Sequence, residues 1–341
     1  MARRLGLALA LLAEGATPAV GSSRLELASR AWADVLRGVE DPWSGTVAVR
    51  ALLAPLAAAT TVSYTGNTSE VIAGFQLLAS WQPPESLNAV AYVSQDGARL
   101  LVAFRGTTSA ADRCADDQLW NPGAPQQKAC ARRAPSDLDY AGRAAAVLEQ
   151  SRRLAPAARD VALTGHSLGC SLAQIQALRL AASGTQPPSA RALCFAPAGT
   201  RALAQRLGGL DPSSERARGL LLALASPWDP VFNFPPDQQI GDRCVLSGTS
   251  EPLSCRGCRH SPLDPGQGAL ERAACAACFA QVHLFKNYLV ALEQMKVRPN
   301  CTAALAGAGP AAAGNGADED MMRRTLTASS LGAGRPPSKK R

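Results

Sequence analysis

The chain has 341 residues, 47% of them hydrophobic and 5% aromatic, so it can bury a sizeable core and is not disordered throughout. Its net charge of +8 lies mostly at the ends: from Cys301 onward six basic residues oppose three acids, and Arg3 and Arg4 add two more charges. The body between carries little excess charge and no basic stripe interleaved with aromatics, which excludes nucleic-acid binding as the expected function.

Met1-Ala2-Arg3-Arg4 is followed by an apolar run from Leu5 to Ala13 and then by small residues through Ser23. A basic head, a short apolar body and small residues after it predict a secretory signal peptide over residues 1–21, and the run is too short to span a bilayer. The competing readings are a buried helix or a transit peptide to an organelle such as the plastid, because no acid precedes Glu14. Ten cysteines and the sequons Asn67-Thr68-Ser69 and Asn300-Cys301-Thr302 agree with the secretory pathway. No other apolar stretch is long enough for a transmembrane helix.

Leu25 to Val39 has apolar residues at helical spacing. Ala89 to Val93 and Leu100 to Phe104 read as strands around the turn Gln95-Asp96-Gly97, and Arg105-Gly106-Thr107-Thr108 ends the second. Ser109 to Pro135 is a polar excursion broken by Pro122 and Pro125, with Leu119 and Trp120 as its only large apolar residues. A helix over Leu138 to Leu154, a strand over Val161 to Leu163 and a helix over Ser171 to Ala182 follow. Ala192 to Phe195 and Leu220 to Ala225 are two more strands, with helical sequence at Arg201 to Leu207 between them. This alternation predicts βαβ units, a mostly parallel sheet and the α/β class, in one domain over residues 22–301. Residues 302–341 are rich in Ala, Gly, Pro, Ser and charges and are expected to be a disordered tail.

Gly165-His166-Ser167-Leu168-Gly169 stands directly between a predicted strand and a predicted helix. That is the context a nucleophile elbow requires: the serine takes strained torsions, and a side chain in place of either glycine would collide with backbone. The following helix presents N–H groups where negative charge would develop. A serine hydroxyl needs a base and the base needs an orienting acid, in the chain order Ser, acid, His. Of three histidines, His166 lies inside the elbow and should point away from the Ser167 hydroxyl, which leaves His260 or His283. Asp229 follows the strand Leu220 to Ala225, where parallel sheets place functional groups.

Four segments in this order resemble the class 3, or fungal-type, lipases of the α/β-hydrolase superfamily. They are Val102-Ala103-Phe104-Arg105-Gly106-Thr107, the elbow, Phe195-Ala196-Pro197-Ala198-Gly199, and the run from Asp229 to Pro236. The resemblance covers roughly residues 89 to 290. It implies the α/β-hydrolase fold, a Ser167, His283 and Asp229 triad, and an oxyanion hole from the N–H groups of Thr107 and Leu168, with the Thr107 hydroxyl a further candidate donor. It favours His283, which precedes an apolar helix carrying Tyr288, over His260. It places Ser109 to Pro135 in the lid position, with Cys114 and Cys130 as a candidate disulfide. The sequence departs from the family in having Cys170 where a second Gly usually follows the elbow, and in lacking a strongly amphipathic lid. The function expected is hydrolysis of carboxylic esters, foremost triacylglycerols or other acyl lipids met at a lipid-water interface, with no metal or organic cofactor. The alternatives are a feruloyl-type esterase and a non-catalytic secreted binding protein on the same scaffold.

Cys255-x-x-Cys258 and Cys275-x-x-Cys278 have the spacing of a four-cysteine zinc site, but the secretory leader favours disulfides between them. Cys244 and Cys301 would then be available to pair, while Cys170 and Cys194 are expected to be buried thiols.

Overall fold

The computed structural model describes residues 42–120, 130–184, 189–214, 217, 219–232, 239–246, 251–256, 258, 269–295 and 299–302. The expectations for the leader, for Leu25 to Val39, for His260 and for all of the tail beyond Thr302 lie outside these residues.

The sheet grows from a hairpin. In β2 (Ala89–Ser94) every residue is buried, and in β3 (Arg99–Phe104) all but the first, as strands covered on both faces require. They pair antiparallel across the Asp96-Gly97 turn, where Gly97 supplies φ +71° and the Asp96 carboxylate accepts the Ala98 N–H. β1 (Phe75–Trp81) adds an antiparallel edge to β2. From β3 onward β4 (Asp160–Gly165), β5 (Ser189–Phe195), β6 (Leu221–Ala225) and β7 (Asp242–Val245) pair in parallel, and β8 (Asn300–Thr302) closes the far side antiparallel. The eight strands lie in chain order. The α/β-hydrolase expectation holds.

Strand side chains alternate between two cores. Leu100, Val102 and Phe104 join Leu163 and a layer formed by α4 (Tyr140–Leu154), α5 (Leu168–Ala182) and α6 (Arg201–Leu207). Leu101 and Ala103 face the other way, onto α1 (Pro42–Thr65) and α8 (Phe285–Glu293). The sequence reading did not single out α1 or β1.

Two helices differ from expectation. The helix expected over Leu138 to Leu154 is divided at Asp139: α3 (Pro135–Leu138) precedes it, and the Asp139 carboxylate accepts the Gly142 N–H to start α4. The polar excursion contains a three-turn helix, α2 (Ala110–Trp120). Its signal is a reciprocal cap: Ser109 Oγ accepts the Asp112 N–H, and the Asp112 carboxylate accepts the N–H groups of Thr108 and Ser109.

All ten cysteines are paired. Cys114–Cys130 joins the ends of the excursion and Cys244–Cys301 joins facing residues of β7 and β8. Cys255–Cys278 and Cys258–Cys275 are nested, so these four sulfurs hold each other and the zinc alternative falls. Cys170 and Cys194 correct the thiol expectation: they form a disulfide, because the first turn of α5 crosses beside the end of β5. Five disulfides are consistent with an oxidising compartment. The Cys170–Cys194 bridge closes a loop of 24 residues. Replacing both cysteines with alanine should lower unfolding stability by roughly 2–4 kcal/mol, read from urea denaturation.

Candidate active site

β4 runs straight into the elbow. Ser167 has φ +57° and ψ −125°, a left-handed conformation that costs a residue with a β-carbon of order 1–3 kcal/mol. Its neighbours over-determine it: Ser167 N–H donates to Phe195 O at 3.0 Å, Gly169 N–H to His166 O at 3.0 Å and Ser171 N–H to Ser167 O at 3.1 Å. The glycines are needed because β3 ends against them. A β-carbon on Gly169 would sit 2.1 Å from Phe104 O, and one on Gly165 would sit 2.6 Å from the same oxygen.

Asp229 follows β6 and is fully buried. Oδ1 accepts the N–H groups of Val231 at 2.8 Å and Phe232 at 3.1 Å, while Oδ2 accepts the Tyr288 hydroxyl at 2.7 Å. Burial alone would raise its pKa, but His283, Tyr288 and the Phe232 N–H together hold the carboxyl below the usual range. It is therefore a carboxylate. His283 ends a π-helical turn, Phe279–His283, between α7 (Ala269–Cys278) and α8. Its Nδ1 lies 2.9 Å from Asp229 Oδ2 and its Nε2 lies 3.0 Å from Ser167 Oγ. Since the carboxylate can only accept, Nδ1 carries the proton and Nε2 turns its lone pair to the serine.

Gly106, which precedes Thr107, stands beside the elbow: a β-carbon on it would lie 3.3 Å from Ser167 Cβ. The Thr107 hydroxyl donates to Asp116 Oδ2 on α2 at 2.7 Å. Leu168 is buried as the first residue of α5. Asp112, one turn before Asp116, anchors α2 through Arg105 at 3.1 Å and the Tyr140 hydroxyl at 2.7 Å. Burial pushes the Asp116 carboxyl up to about 7, against the Thr107 hydrogen bond, and its Oδ1 is sealed without a partner.

Ser167 and Asp229 are thus each within hydrogen-bond reach of His283, with Gly106 and Leu168 next to Ser167. Cys255, Cys258, Cys275 and Cys278 hold no metal site, and among the described residues no cluster of His, Cys, Asp or Glu is arranged to bind one. Instead Cys255, Cys278 and Val282 pack with Trp228, beside Asp229 and His283. Tyr288 and Asp116 were not assigned these contacts by sequence reasoning: the Tyr288 contact joins residues 59 apart, and the Asp116 contact spans nine residues but forms only when α2 packs back on the Gly106-Thr107 loop. The Ser-x-x-Asp cap was the one readable trace of α2.

The Tyr288 hydroxyl also accepts the Ser226 N–H at 3.0 Å, and burial keeps it protonated by raising its pKa well above the phenol value. Tyr288→Phe should cost about 1–3 kcal/mol in urea denaturation, since two buried partners lose a bond. For Asp116 the folded chain holds a proton between about pH 4 and about 7 that the unfolded chain releases. Its contribution to stability is full below that window and declines as pH rises through it; Asp116→Asn should flatten this part of the stability-pH curve.

Residues 101–210 match the family described as Lipase (class 3). A comparison with curated proteins found no match. Among solved structures, the chain is similar to a Rhizomucor miehei lipase propeptide complex at 17% identity, covering 66% of this chain and 70% of that one, with TM-score 0.36. It is also similar to a Yarrowia lipolytica lipase at 16% identity, covering 56% and 76%, TM-score 0.37. A Penicillium expansum triacylglycerol lipase gives 16% identity, 58% and 79%, TM-score 0.36. Residues 101–210, which hold the elbow and α5, are thus similar to the class 3 lipases, and this match supports a serine carboxylic-ester hydrolase.

Proposed function

We propose that this lipase hydrolyses acyl-lipid esters through a Ser167, His283 and Asp229 triad. The reading is carried by one observation, the unbroken chain from Ser167 Oγ to His283 Nε2 at 3.0 Å and from His283 Nδ1 to Asp229 Oδ2 at 2.9 Å. Ser167 attacks the ester carbonyl as His283 takes its proton, and Asp229 holds the imidazole tautomer and stabilises the imidazolium that forms. The N–H groups of Thr107 and Leu168 receive the oxyanion, each worth about 10²–10³ in rate. The tetrahedral species collapses to an acyl-enzyme as His283 protonates the departing alcohol. The same base then activates water to release the acid. Every proton moves through His283, so this chemistry requires no metal or cofactor.

A second reading, an esterase for dissolved substrates, draws support from the way α2 is held. Besides its Asp112 anchor and the Cys114–Cys130 bridge, the Trp120 Nε1–H donates to Gly199 O at 2.7 Å. A cover tied at both ends favours a fixed entrance over one that swings open on a lipid surface.

A fluorophosphonate probe should label wild type and not Ser167→Ala. His283→Ala and Asp229→Asn should each reduce kcat by about 10⁴, while His260→Ala retains turnover. Rates on an emulsified long-chain triacylglycerol and on a dissolved short-chain ester separate the two substrate readings; an unlabelled, inactive wild type with its disulfides intact leaves only a binding protein. We further propose secretion after removal of residues 1–21. Asn67 is exposed, and its carboxamide oxygen accepts the Ser69 hydroxyl at 2.7 Å. Protein recovered from the medium of a eukaryotic host should therefore begin near Ser22 and carry an N-glycan at Asn67, both read by mass spectrometry.

A further inference from the structure

A part-buried polar pair beside the triad, Tyr64 and the buried His166, has no part in the proton transfers proposed above. Tyr64, the penultimate residue of α1, sets its hydroxyl 2.9 Å from Nδ1 of His166. Gly106 lies against the same hydroxyl: a β-carbon there would stand 2.2 Å from it. One oxygen therefore touches both the Gly106-Thr107 loop and the elbow.

The His166 ring in turn backs His283, with ring centroids 4.7 Å apart, and Phe285 and Tyr288 lie 5.3 Å and 5.6 Å away. The Tyr64 ring stacks on Phe285 at 5.9 Å with 9° between planes. Burial first, and the nearby His283 second, hold the His166 pKa well below the imidazole value, so the ring is neutral. Burial raises the Tyr64 pKa, so the phenol keeps its proton. The direction follows: the phenol donates to Nδ1. The proton on His166 then sits on Nε2, which is buried. His166 cannot swing to a second partner without breaking the Tyr64 bond.

We propose that Tyr64 and His166 are positioning residues for ester hydrolysis: their hydrogen bond ties the oxyanion loop to the nucleophile elbow and fixes the surface on which the His283 ring rests. This rests on the triad reading above. Oγ, Nε2 and the Thr107 N–H must converge on one substrate carbonyl, and misplacement by about 1 Å costs on the order of 10²-fold in rate. Tyr64 and His166 span the three segments that carry those atoms.

Tyr64→Phe keeps the ring stack and removes only the hydroxyl. Per active site titrated with a fluorophosphonate, kcat should fall on the order of 10-fold, with KM within about twofold of wild type. His166→Gln, which retains an acceptor, should keep more kcat than His166→Leu. The double variant Tyr64→Phe/His166→Leu should lose no more than His166→Leu alone, because the two side chains share one bond. Wild-type kcat per titrated site in Tyr64→Phe, or a double variant that is the product of its singles, overturns the proposal. A fall in thermal midpoint without a fall in kcat also overturns it, since that is what packing alone would give. Should the His166 variants fail to fold, Tyr64→Phe decides by itself. Labelling of wild-type Ser167 separates the two readings: labelled wild type with unchanged Tyr64→Phe removes the positioning role and leaves the triad, and unlabelled wild type removes both.

Discussion

The end of β3 presses its last carbonyl into the space between β4 and α5, and much of the site depends on that contact. Phe104 O occupies the position that a β-carbon on Gly165 or Gly169 would need. With glycine at both positions the strand-to-helix turn closes tightly, Ser167 is forced to positive φ, and α5 starts at the next residue. The same approach carries Gly106 and Thr107 to the side of Ser167. The tight turn at Ser167 and the placement of the Gly106-Thr107 loop are thus two outcomes of one steric constraint, and the Cys170–Cys194 bridge adds a covalent tie between the first turn of α5 and the end of β5.

Around that point the protein buries two carboxylates and compensates each in full. Asp112 meets Arg105, Tyr140 and two backbone N–H groups, and it fastens α2 to the end of β3 and the start of α4. Asp229 meets His283, Tyr288 and two backbone N–H groups. A buried carboxylate with so many donors stays charged at neutral pH. Asp116 is the contrast: its one side-chain donor is Thr107 and its second oxygen is sealed, so burial prevails and its pKa moves toward 7. Three aspartates within one fold are set apart by the number of donors that reach them.

The nested disulfides bear on the site through packing. Cys255 and Cys278 form a small apolar cluster with Val282 and Trp228, neighbours in sequence of His283 and Asp229. The span between acid and base is long, and these bridges give it a rigid core where regular structure is short. The spacing that suggested zinc thus serves cross-linking.

The sequence by itself determined the local features. Alternation of apolar runs with turn residues settled β2, β3 and β4, and glycines around Ser167 between a strand and a helix marked the elbow, because steric demands of that turn admit few other residues. The order Ser167, Asp229 and then His260 or His283 was readable because it is written along the chain, and the resemblance to the class 3 lipases favoured His283. What only the tertiary structure decided was adjacency between distant segments. The Cys170–Cys194 disulfide, the Tyr288 bond to Asp229, the hold of Asp116 on Thr107 and the Tyr64 bond to His166 each join residues from separate elements. Burial of a side chain and the partner it meets are properties of packed layers, and no periodicity along one segment encodes them. The helix α2 fell between the two cases: its capping residues were local and readable, but its polar sequence is held helical by contacts to Arg105, Tyr140 and Gly199 that form only once the sheet is assembled.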